Sequence, residues 1–211
     1  DDLPCMDDDK MRRGKPSAHI KFGESTAVLA GNSLLTLGFE ILSEKNYSIK
    51  DDKKNRLIKT LSLCSGHSGI AGGQQLDLSF EKKRKSLKQI LDMQRKKTGK
   101  LFNFCCYAPT LIANKEKKEI RFMSKLGEEI GLLFQISDDL LDLKGLKKKV
   151  GKPIKQDQKK GKSTLIRLMG EEKTLNYALK LKFDIIKKLN RYGKKANSLI
   201  ETIDFILERN F

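Results

Sequence analysis

Proline placement sets the first constraint on this sequence. Only four prolines occur, at 4, 16, 109 and 153, and none interrupts the long stretches in which apolar residues recur at helical spacing among leucine, isoleucine and lysine. A proline in a helix interior removes an amide donor and clashes with the preceding turn. A chain this poor in it and this rich in strong helix formers reads as helix almost throughout. No period-2 alternation bounded by Asn-Gly or Asp-Gly turns is present, so strands are not expected, and no internal repeat is evident.

The densest apolar segment runs from Glu24 to Glu44 and contains Val28, Leu34, Leu35, Leu37, Phe39 and Ile41. It is too apolar for a surface helix and should be largely buried. Asn46 to Asn55 is polar and reads as a loop, and a helix follows from about Arg56 into the glycine-rich run Gly66 to Gln75. Glycines there permit close backbone contact between helices or with a ligand. Further helices are expected over Ser86 to Met93, Thr98 to Asn114, Lys117 to Asp142, Glu171 to Asn190 and Lys194 to Glu208. Lys144 to Lys162 holds nine lysines with glycines and a proline, and reads as an exposed loop.

With 211 residues, 38% of them hydrophobic, the chain can bury about 70% of its unfolded surface in one large domain or two tightly packed ones. The 44 Lys and Arg against 27 Asp and Glu give a net charge of +17, which raises the prospect of a polyanionic partner. Against a nucleic-acid binder stand the 7% aromatic content, the absence of a recognition motif and the massing of acids in two places. Cys5, Cys64, Cys105 and Cys106 show neither zinc spacing nor a secreted disulfide framework, which suits a reducing, cytoplasmic setting. No run of 18 or more apolar residues and no export signal is present, so a soluble protein is expected.

The acids gather in Asp1-Asp2-Leu3-Pro4-Cys5-Met6-Asp7-Asp8-Asp9 and in Asp138-Asp139-Leu140-Leu141-Asp142. Residues four apart share a helical face, so Asp138 and Asp142 point the same way and repel. Their neighbours Ile136, Leu140, Leu141 and Leu143 are apolar, so a compensating cation is called for. Hard divalent cations such as Mg²⁺ fit, held by one or two carboxylates plus water and phosphate oxygens. A face paired with nearby lysines remains open on these residues alone. The first cluster is followed directly by Arg12, Arg13 and Gly14. Metal-binding acids beside a double arginine suit a phosphate ester, whose oxygens the metal and the Arg forks would share. An EF-hand calcium loop would need Gly at its sixth position and Glu at its twelfth, where Met6 and Arg12 stand. If the two clusters face each other in a helical bundle, they form a multi-metal cage around one diphosphate.

DDLPCMDDDKMRRGKP resembles the first aspartate-rich motif of the trans-type isoprenyl diphosphate synthases, and LLFQISDDLLD resembles the second. HIKFGESTAVLAG, AGGQQLDL, KKTGKLF and GKPIKQDQKKGKST are similar to further family segments in the expected order, with the bacterial farnesyl diphosphate synthases most alike. The resemblance implies an all-α isoprenoid synthase fold, an antiparallel helical bundle around a deep central cavity, in one domain over residues 1–211. It also implies a homodimer and three Mg²⁺ per active site. The activity implied is condensation of isopentenyl diphosphate with dimethylallyl or geranyl diphosphate to farnesyl diphosphate, with geranylgeranyl diphosphate as the alternative product.

By the same resemblance, Asp1, Asp2, Asp7, Asp138, Asp139 and Asp142 match Mg²⁺ ligands, the contact of Asp139 running through water. Arg12 matches a contact to the allylic diphosphate and Arg13 one to isopentenyl diphosphate. Lys97, Lys152 and Lys162 match lysines on the allylic diphosphate, and Thr98 and Gln135 match polar residues beside the developing cation. Two departures fall in one segment, Pro153 after Lys152 and Ile166 where the family has proline. The chain starts without Met in its most polar segment, and the family motif that supplies a Lys and an Arg to isopentenyl diphosphate is not in it. An upstream part is therefore expected. A non-catalytic subunit of such a synthase is disfavoured, because both aspartate motifs are complete. His19 and His67 lack metal-ligand spacing and read as structural.

Overall fold

The computed structural model describes residues 1–45, 48–144 and 161–208. The chain packs as two compact units, one over Asp1–Ser62 and the other beginning at Leu63.

In the first unit the aspartate-rich start curls through turns into a small antiparallel ladder that the sequence did not lead us to expect. Strands β1 (Met11–Arg12) and β2 (Lys15–Pro16) pair with Met11 opposite Pro16 and Arg12 opposite Lys15. Arg13 at φ 51° and Gly14 at φ 75° supply the two left-handed residues of a tight hairpin turn. Arg-Gly performs the task usually signalled by Asn-Gly, which is why the turn is invisible to a pattern search.

Helices α1 (Ala18–Phe22), α2 (Glu24–Ser43) and α3 (Asp51–Ser65) follow. The onset of α3 lies inside the expected loop, because Asp51 and Asp52 occupy its first turn, where carboxylates meet the positive end of the helix dipole. The larger correction concerns α2. Expected to be buried, it has no buried residue, and Leu29 and Leu34 are 63% and 69% exposed. It is apolar on more faces than the described part of its own unit covers, with α1 packed on it and Leu61 of α3 approaching Gly38. By length and composition alone this 20-residue helix would also cross a membrane.

In the second unit α4 (Ile70–Phe80) takes up the latter part of the glycine-rich run. Helix α5 (Leu87–Gln94) starts on a capping box, with the Gln89 amide donating to Ser86 Oγ and the Ser86 amide to Gln89 Oε1. It continues through a single widened π-turn, Arg95–Gly99, into α6 (Lys100–Ile112). Contrary to expectation, Pro109 sits inside α6; the helix loses that one amide and ends three residues later.

Helix α7 (Lys117–Lys144) runs back along α6. A Cβ on Gly127 would come within 2.4 Å of the Phe102 carbonyl oxygen, which fixes how closely the pair approaches. The opposite face of α7, with Leu126, Ile130, Leu133, Ile136 and Leu140, forms the core with α9 (Glu171–Leu189) and α10 (Asn197–Glu208). A 3₁₀ turn, Asn190–Ala196, joins those two, and the short α8 (Leu165–Met169), capped by Thr164 Oγ1, precedes them. The lysine-rich segment between α7 and Gly161, with Lys152, lies outside the described residues.

Candidate active site

The expected site residues divide between the two units. In the first, backbone bonds from Asp7 N–H to Asp1 O (2.9 Å) and from Asp9 N–H to Asp2 O (3.2 Å) fold the cluster back on itself. The Arg12 guanidinium donates to Asp2 Oδ1 at 3.0 Å and reaches Asp1 Oδ1 at 3.4 Å. Asp7 and Asp9 are buried, and the Ser17 hydroxyl donates to the Asp9 carbonyl. Arg12 therefore neutralises part of the charge that Asp1 and Asp2 bring to the cluster. Arg13 stands exposed at the hairpin turn.

In the second unit, α4, the π-turn and the end of α7 bring five expected residues together with three that sequence reasoning missed. Lys97 Nζ sits 2.6 Å from Asp77 Oδ2, and Lys162 Nζ lies 3.5 Å from the same oxygen. Two ammonium groups share one buried carboxylate, so the trio keeps a net positive charge. Beside it, Thr98 Oγ1 donates to Gln135 Oε1 (2.7 Å), Gln135 Nε2 donates to Asp139 Oδ1 (3.0 Å), and Gln94 Nε2 donates to Asp139 Oδ2 (2.9 Å). Every proton in this chain of bonds has a fixed direction. It ends on Asp139, which is 5% exposed and receives an amide on each oxygen.

Asp77, Gln94 and Thr164 were the missed residues. Asp77 stands in the quoted AGGQQLDL segment, but an acid in an apolar helix gives no sign of its partners. Gln94 looks like any polar residue of an amphipathic helix, although it is 2% exposed and its Oε1 has no hydrogen-bond partner among the described residues.

Asp77, Gln94, Lys97, Gln135, Asp139 and Lys162 line a small pocket of about 30 Å³. A second one of about 280 Å³ shares Asp139, Lys162 and Thr164 with it and adds Asp142, Gly161 and Arg167. Asp138 and Asp142, both partly buried, lie one turn apart on α7 as the spacing required. The donor set is all carboxylate, without histidine or thiolate. Among the described residues no three such groups gather closely enough to enclose a metal ion. Carboxylate oxygens suit Mg²⁺, which takes few protein carboxylates and completes its octahedron with water and phosphate oxygens. Asp138 and Asp142 would hold it in this unit, and Asp1, Asp2 and Asp7 in the other.

The three cysteines of the second unit are poor nucleophiles. Burial pushes the Cys106 thiol up to about 11, the neighbouring Cys105 adding to the rise. At pH 8 that leaves about one thiolate per thousand. Burial raises Cys64 and Cys105 as well.

The pattern of the polyprenyl synthetase family matches residues 1–203. The chain is 39% identical over 215 residues to the farnesyl diphosphate synthase of Escherichia coli, covering all of this chain and 72% of that protein. It is 37% identical over 214 residues to the enzyme of that name from Bacillus subtilis, covering 71% of it. Geranylgeranyl pyrophosphate synthase 4 of Arabidopsis thaliana is 38% identical over 214 residues, with 57% of its length covered. Among solved structures, geranyltransferase of Helicobacter pylori, complexed with magnesium and isoprenyl diphosphate, superposes with a TM-score of 0.86 at 33% identity over 99% of this chain and 68% of that one. The all-α expectation is thus met by the isoprenoid synthase fold. With both aspartate clusters and the lysine-bearing segments inside the matched residues, the chain belongs to the polyprenyl synthetase family.

Proposed function

We propose that this chain is a Mg²⁺-dependent prenyltransferase that joins isopentenyl diphosphate head to tail with dimethylallyl or geranyl diphosphate, giving farnesyl diphosphate and pyrophosphate. The observation that carries the reading is the meeting of Lys97, Lys162 and Asp77 with the Thr98–Gln135–Asp139 chain beside Asp142. Heterolysis of the allylic carbon–oxygen bond leaves positive charge on carbon and negative charge on the departing diphosphate. Three Mg²⁺ ions, when bound, would offset the charge of the diphosphate oxygens against the aspartates.

The remaining work falls to side chains. Lys97 and Lys162, with Lys152 outside the described residues, hold the allylic diphosphate, and Arg12 adds a fork to it. Arg13 serves isopentenyl diphosphate. The Thr98 hydroxyl gives its proton to Gln135, so its lone pairs are left to face electron-poor carbon. Asp139 fixes Gln135 and Gln94, and reaches a cation only through water. Water has to be kept from the cation, which it would quench.

Both aspartate clusters serve this one reaction in a single functional domain, at work in the cytoplasm, where the four free thiols stay reduced. The exposed apolar surface of α2 suits a homodimer, since each Å² removed from water contributes about 25 cal/mol. Geranylgeranyl diphosphate is the second reading, favoured by the identity with the Arabidopsis relative. Dephosphorylated products separate the two. Farnesol as the main alcohol supports the farnesyl reading, and a twenty-carbon alcohol replaces it with the other.

A further inference from the structure

We propose a second anion site in the second unit, built from Lys83, Arg84, Lys85 and Arg167, that takes a small molecule bearing a di- or triphosphate group without any metal. These four cations border a pocket of about 400 Å³, with Ile90 and Leu168 as apolar wall. No carboxylate lines it among the described residues. None of the four cations has a carboxylate within ion-pairing distance there. The side-chain partners they find among those residues are the Phe80 ring, 4.4 Å below Lys85 Nζ, and the Gly161 carbonyl, 2.6 Å from Arg167 NH1.

The cations are also fastened together. Lys82 N–H donates to Gly161 O at 2.8 Å, and the buried Ser163 Oγ lies 2.9 Å from Phe80 O and 2.7 Å from Lys83 O. These bonds tie the loop after α4 to the segment that carries Arg167, with Lys82 held at φ 57°. Backbone strain of that kind persists only where the surroundings enforce it. Like charges kept at close quarters repel, and an anion with several oxygens relieves this while meeting the Arg forks. The pocket is roomy enough for more than one phosphate group.

Metal independence separates this site from the pocket on Asp139 and Asp142. There the carboxylates repel phosphate unless Mg²⁺ intervenes, whereas here the phosphate oxygens meet only cations. Both pockets share Thr164 and Arg167, so the two sites are neighbours in one unit.

The test is calorimetric titration of the full chain with inorganic triphosphate in EDTA at low ionic strength, repeated with the Lys83→Ser/Arg84→Ser variant. Both replaced residues are exposed, and unchanged helical circular dichroism and melting confirm the fold. We expect saturable binding by the wild type that weakens with added salt and falls about tenfold or more in the variant. Prenyl transfer by the variant should stay within about twofold of wild type, so failure here leaves the proposed activity standing. Absence of metal-free binding, or equal binding by both proteins, overturns the proposal. So does retention of a DNA duplex more tightly than triphosphate and lost in the same variant, which would make this face a nucleic-acid surface.

Discussion

Asp138→Ala is expected to lower kcat/KM for prenyl transfer by about 10³-fold or more while leaving helix content unchanged. The residue stands partly buried on the last turns of α7, on the face it shares with Asp142. If its role were structural, as a partner to neighbouring groups, its removal would lower the helical signal and the melting temperature together with turnover. If it holds Mg²⁺ against the leaving diphosphate, transition-state stabilisation of about 4 kcal/mol is lost. Asp139→Ala provides the contrast. It strips the acceptor from two side-chain amides, Gln94 Nε2 and Gln135 Nε2. A buried donor left unpaired costs about 1–3 kcal/mol, so this variant should melt lower as well as turn over more slowly. Steady-state kinetics with circular dichroism and thermal melts resolve the pair. Turnover by Asp138→Ala within tenfold of wild type would remove that residue from the chemistry, and loss of its helical signal would make it structural.

Gly73→Ala should damage the second unit as severely, through the backbone. A Cβ at position 73 would lie 2.1 Å from Lys97 N and 2.5 Å from Lys97 Cα. Neither atom belongs to a flexible side chain, so α4 and the π-turn must separate. The turn carries Lys97 and Thr98, and α4 carries Asp77, so the 2.6 Å ion pair and the 2.7 Å Thr98–Gln135 bond both depend on that approach. Overpacking of this kind costs about 1–3 kcal/mol. A displacement of about 1 Å at a positioned group costs about 10²-fold in rate. Urea denaturation and kcat/KM should move together, and a variant within twofold of wild type in both would disprove the close approach.

These two residues also mark where the sequence was readable. Helix α7 was legible almost to the residue, because one face is continuously apolar from Leu126 to Leu140 and the aspartates end it. Asp138 and Asp142 followed from the same periodicity. The glycine at 73 was legible as a contact, but not as a contact with Lys97, since partners distant in sequence leave no local trace. The π-turn at Arg95–Gly99 was hidden, because one extra residue in a helical turn changes no composition. It is nonetheless what places Lys97 and Thr98.

Helix α2 was misread for a different reason. Apolar density reports that a surface wants covering, and says nothing of whether the same unit covers it. The hairpin at Arg13-Gly14 was missed because arginine in a left-handed conformation is rare. Asp77 and Gln94 owe their importance to what they touch, the first two lysines and the second Asp139. Both partnerships exist only after folding.

The central claim is that this chain performs Mg²⁺-dependent prenyl transfer, and one measurement bears on it most directly. The protein in its full natural length is incubated with isopentenyl diphosphate and geranyl diphosphate, with Mg²⁺ in one arm and EDTA in the other, and pyrophosphate and prenyl products are quantified. The account predicts stoichiometric pyrophosphate and a prenyl diphosphate lengthened by five carbons with Mg²⁺, and neither in EDTA. No elongation with Mg²⁺, or equal elongation in both arms, would contradict it.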